Sequence, residues 1–148
     1  MFGLSSKKLK EYTLPHGWKI SFPTSWQHEF QPEEEGDQYL FYPKNDDLTF
    51  RITSYRVEKQ GINAPVDVMM EAFLHSARTL QQKKDLNIKL DDFVFECREG
   101  IIQENGKDIN RVSCGIAIEG FLLLIYIYAT KKQSIEKSLS YINTVCRV

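Results

Sequence analysis

The chain has 148 residues, 42% of them hydrophobic and 26% charged, with a formal net charge of −1. That size and balance suit one globular domain spanning residues 1–148, and they leave no positive excess to draw it to nucleic acid or an anionic membrane. Three cysteines with no C-x-x-C spacing argue against a disulfide framework and against zinc. The first ten residues lack the apolar core of a secretory signal, so the expected location is the cytoplasm.

In chain order, residues 11–15 and 18–23 read as a short pair of strands around His16-Gly17. Trp18, Ile20 and Phe22 alternate with Lys19 and Ser21, the period of a half-buried strand. Residues 39–42 and 48–56 read as two further strands, separated by the Asn/Asp-rich turn at 44–47. After a loop at 58–64, Pro65 suits a first helical turn, because its missing N–H would be unpaired there anyway. Val66, Met69, Met70, Phe73, Leu74, Ala77 and Leu80 then recur at helical spacing, which predicts a helix over about 65–82.

Residues 93–129 define a register. Asn105-Gly106 signals a two-residue hairpin turn. Counting outward from it sets Cys97 against Cys114, Phe95 against Ile116 and Phe93 against Ile118. Glu119-Gly120 is the next turn, setting Ile118 against Phe121, Ile116 against Leu123 and Cys114 against Ile125. Large apolar residues of three strands thereby share one face. Gly100 is a candidate bulge. The nine-residue run 121–129 is too short to span a bilayer and fits a strand covered on both faces. Thr130 and Gln133 match a capping box for a last helix over 131–146, striped by Ile135, Leu139, Ile142, Val145 and Cys146.

With Gly17-Trp18-Lys19-Ile20-Ser21-Phe22-Pro23-Thr24-Ser25-Trp26 near its start and this element order over almost its whole length, the chain resembles the PsbP/Mog-like superfamily. The likeness is to small bacterial members of unknown function. It implies an α+β fold, an antiparallel sheet flanked by helices in an α/β/α sandwich. It also implies a non-catalytic role, because characterised relatives bind a photosystem, a small GTPase or an envelope component. It carries over no functional residue.

The expected core draws on Trp18, Ile20, Phe22, Phe50, Ile52, Phe73, Leu74, Phe93, Phe95, Ile116, Ile118, Leu123, Ile125, Leu139 and Ile142. The sequence holds no phosphate loop, no dinucleotide fingerprint, no nucleophile motif and no metal-ligand spacing around His16, His28 or His75, so neither an enzyme nor a cofactor is expected. Cys97 and Cys114 are expected to be buried free thiols, the alternative being a cross-strand disulfide. The acidic run Glu33, Glu34, Glu35 and Asp37 is flanked by Trp26, His28, Phe30 and Tyr39. Such a run most often only solvates a loop, and such aromatics most often pack beneath one. Together they are nevertheless the candidate surface for an unknown protein partner. The expected function is a cytoplasmic protein-binding module of the adaptor or immunity type. The rival is a small-ligand domain with a pocket between the sheet and the 66–82 helix, lined by Met69 and Met70.

Overall fold

A computed structural model describes residues 8–148, apart from 35, 79, 87–89 and 91. Its strands in chain order are β1 (Leu9–Thr13), β2 (Trp18–Pro23), β3 (Gln27–Gln31), β4 (Gln38–Tyr42), β5 (Thr49–Arg56), β6 (Glu58–Lys59), β7 (Ile62–Asn63), β8 (Gln81–Asp85), β9 (Val94–Glu104), β10 (Lys107–Ile118), β11 (Phe121–Ala129) and β12 (Cys146–Arg147). The helices are α1 (Val66–Ala77) and the short α2 (Lys132–Ser138), which runs on into a 3-10 segment, Leu139–Thr144. Seven strands form one antiparallel sheet in the order β3-β4-β5-β11-β10-β9-β8, and β1-β2-β12 form a smaller one.

The meander has the expected register: Cys97 opposes Cys114, Phe95 opposes Ile116, and across the next turn Cys114 opposes Ile125 and Ile116 opposes Leu123. Phe121–Ala129 is a central strand, paired on both edges by β5 and β10. On one face of the large sheet Phe50, Ile52, Cys114, Ile116, Leu123 and Ile125 pack with Trp18, Ile20 and Phe22 of the small sheet and with Ile135 and Ile142. On the other face α1 lays Met69, Met70, Phe73 and Ala77 over Ala117, Leu122 and Leu124. The molecule is therefore mostly antiparallel sheet with two short helices. A full helix covers only one face; the small sheet and a short helical stretch cover the other.

Several expectations are corrected. Helix α1 stops at Ala77, and Gln81–Asp85 adds to β9 as an edge strand. Leu80 and the Gln81 carbonyl lie directly over Gly100, where an added Cβ would come within 2.9 and 2.7 Å of them. Gly100 is therefore a site of close approach rather than a bulge: β9 and β10 stay in register through it, and the irregularity falls in β8 between Gln81 and Lys84. Leu74 is exposed at 42%, because the neighbouring Phe73 takes the sheet-facing position and a helix turns about 100° per residue. The last helix ends early, and Cys146–Arg147 pairs with β2. Lys131 is its N-cap and no side chain caps it. The Thr130 hydroxyl and amide instead both donate to Asp47 Oδ2, the amide at 2.7 Å. Cys97 and Cys114 are a disulfide rather than free thiols, since directly opposed positions in a narrow antiparallel pair place their Cα atoms 4.2 Å apart.

Candidate functional site

The segment expected to meet a partner includes a strand the sequence did not announce. Gln27–Gln31 has no apolar alternation, yet it pairs with β4 along its whole length, setting Phe30 opposite Tyr39 and His28 opposite Phe41. It is the outermost strand of the large sheet, and its first four residues are exposed. Among the described residues no strand pairs with its outer edge. Such an edge offers a row of backbone donors and acceptors to an incoming chain.

The candidate residues divide between surface and core. Phe30 is 53% exposed and packs on Tyr39 with ring centroids 5.0 Å apart. His28 is exposed but lies on an aromatic bed, 5.2 Å from Tyr12 and 6.3 Å from Phe41. Glu33, Glu34 and Asp37 are exposed in the connection to β4, where the Glu33 N–H donates to Asp37 Oδ1 at 3.3 Å. Glu35 lies outside the described residues. Trp26 stands apart: it is half-buried, stacked on Phe22 at 5.0 Å and edge-on to Tyr141 at 5.2 Å. Glu29, close to the acidic run in sequence, shares the strand and accepts a 2.5 Å hydrogen bond from the Tyr42 hydroxyl. That bond raises the Tyr42 phenol above its ordinary pKa. Burial, aided by the Asp37 charge, raises that of Tyr39. Both phenols therefore stay protonated donors at neutral pH. The result is a ribbon with an open backbone edge, an exposed phenyl ring and a negative rim.

One long-range pair was invisible in the sequence. His16 Nδ1 lies 2.7 Å from Ser54 Oγ, and the Ser54 hydroxyl itself donates to the Pro15 carbonyl at 3.1 Å. The Ser54 hydroxyl thus sits between an imidazole nitrogen and a main-chain carbonyl, and the imidazole tautomer sets the direction of the His16 bond. Among the described residues no group of three or more His, Cys, Asp or Glu could hold a metal ion. No helix among them is long and apolar enough to cross a membrane.

No protein-family model matches the chain, and no curated protein matches it. Solved structures do. A Bacteroides thetaiotaomicron protein superposes with a TM-score of 0.65 at 15% identity over 94% of this chain; the chain spans only 48% of that protein. Cyanobacterial PsbP (CyanoP) from Synechocystis sp. PCC 6803 matches at 0.62 with 12% identity, over 100% of this chain and 97% of its own. The Saccharomyces cerevisiae Ran-binding protein Mog1p matches at 0.57 with 8% identity, over 97% of each chain. The fold is PsbP/Mog-like. At these identities the likeness establishes the fold and transfers no site.

Proposed function

We propose that this PsbP/Mog-like chain is a non-catalytic protein-binding module, of adaptor or immunity type, that takes its partner along β3. The observation that carries the reading is the open, exposed edge of Gln27–Gln31, with Phe30 at its face and Glu33, Glu34 and Asp37 at its end. An extended segment with basic side chains fits it: main-chain hydrogen bonds supply affinity, and the phenyl ring and carboxylates supply selection. The kinship in fold with a Ran-binding protein supports a binding role in general terms. A ligand pocket between the sheet and α1 has less support, because Met69, Met70 and Phe73 are buried in that interface and Phe73 fills the space beside Gly115. The bonded Cys97–Cys114 pair favours an oxidising compartment over the cytoplasm expected from the sequence.

The test immobilises the protein in native lysate of its source cells beside two variants, Phe30→Lys and the pair Glu33→Lys/Glu34→Lys. A stoichiometric partner held by the parent, released by salt and lost from both variants is the expected result. A partner retained equally by all three would remove this surface, and no partner at all would remove the binding reading.

A further inference from the structure

Helix α1 covers only part of its face of the sheet. Beyond Leu122 and Leu124 the same face continues with Tyr126 and Tyr128 of β11, flanked across the register by Arg51 on β5 and Arg111 on β10. Each arginine leans diagonally over a tyrosine: the Arg51 guanidinium carbon is 5.6 Å from the Tyr128 ring centroid, and that of Arg111 is 4.9 Å from Tyr126. Stacking of this kind holds a guanidinium plane still and leaves its N–H edge to donate. Arg111 uses its Nε on the Ser113 hydroxyl at 3.0 Å. The Nε of Arg51 is buried without a hydrogen-bond partner, and Arg51 has no ion pair among the described residues.

Arg51 borders a groove of about 440 Å³ whose other walls include Thr49, Ile102, Ile109 and Tyr128. Ile102 and Ile109 oppose each other across β9 and β10 and make its apolar side. Glu104 and Gln103 also line the groove; Glu104 is exposed and opposes Lys107, and Gln103 donates to Asp108 at 3.0 Å. The groove thus combines an immobilised cation, a hydroxyl and two aliphatic walls, in the size range of small-molecule sites. We propose that it binds a small organic carboxylate, the acid group on the Arg51 fork and the hydrocarbon part against Ile102 and Ile109. A carboxylate matches the planar fork with two parallel hydrogen bonds, whereas the aliphatic walls offer nothing to a bare inorganic anion. The site is independent of β3, and neither proposal stands or falls with the other.

Phenylacetate is the probe, titrated into the full chain by calorimetry, with phenylacetamide and inorganic phosphate as comparisons. Saturable phenylacetate binding is expected, with phenylacetamide and phosphate each weaker by about tenfold or more, the ratio expected when a charge-assisted pair or the apolar contact is lost. Arg51→Gln should weaken phenylacetate by a similar factor, and so should Ile109→Glu, which changes the opposite wall and keeps the test open if the first variant melts early. No saturation up to about 10 mM, which would put the affinity below that of even weak specific binding, would overturn the proposal. So would equal binding of the amide or of phosphate, or a folded Arg51→Gln that binds like the parent.

Discussion

Adding one methyl group at Gly115 should disturb the packing of α1 on the sheet. A Cβ built there would lie 2.5 Å from Phe73 Cγ, 2.8 Å from Cδ1 and 2.9 Å from Cβ. These atoms belong to the root of the ring rather than to a flexible tip, and Phe73 is fully buried. The helix must therefore lift by roughly 1 Å to restore ordinary carbon contact near 3.5–4 Å. Overpacking of this kind costs about 1–3 kcal/mol. The lower backbone entropy of alanine in the unfolded chain returns about 0.4–1 kcal/mol. Gly115→Ala should thus lose about 1–2 kcal/mol in urea unfolding followed by circular dichroism. Phe73→Ala alone should lose about 3–5 kcal/mol through the cavity it leaves. In that background the Gly115 methyl occupies vacated space, so its penalty should vanish or change sign, giving a coupling of about 1–3 kcal/mol. A Gly115→Ala protein as stable as the parent, or an equal loss in both backgrounds, would refute the close approach of α1.

Two further outcomes follow from the bonded cysteines and the Asp47 clamp. Unfolded in the absence of reductant, the chain should show one free thiol, that of Cys146, and three after reduction; three before reduction would refute the bond. Reduction should lower stability by about 2–4 kcal/mol, as expected for a loop of this order of length. Asp47→Ala should lose about 0.5–1 kcal/mol at pH 7, an exposed charge-assisted pair being worth no more. The hydrogen bond from the Thr130 hydroxyl, the largest influence, holds the Asp47 carboxyl below its usual pKa against the opposing effect of desolvation. A carboxyl so depressed stabilises the fold above the unfolded value near 4, and that contribution fades as pH falls through the folded value. The gap between parent and Asp47→Ala should therefore close in acid. A gap unchanged at about pH 2–3, below the ordinary carboxylate range, would show that Asp47 acts through something other than its charge.

The central architecture was legible in residue order because it is written locally. The Asn105-Gly106 and Glu119-Gly120 turns each specify a two-residue connection, and alternation about them places every partner from Glu104–Lys107 to Ala117–Leu122. The strands at the sheet margins were not legible. β3 and β8 are mostly exposed and polar and carry no hydrophobic period. They pair because a neighbouring strand presents unsatisfied backbone groups to them, a condition set by the assembled sheet. For the same reason the chain leaves the last helix at Val145, where β2 takes Cys146–Arg147 and Arg147 settles over Trp18 at 4.7 Å. The two candidate surfaces divide the same way. The acidic run and its aromatics are contiguous and could be named in advance, but whether a ring is exposed like Phe30 or half-buried like Trp26 depends on what folds against it. Arg51, Ile102, Ile109 and Tyr128 are spread over nearly eighty positions and become neighbours through the strand order β5-β11-β10-β9. Short-range periodicity and turn chemistry lay down the strands; contact between distant segments decides which edges stay open and where a groove remains.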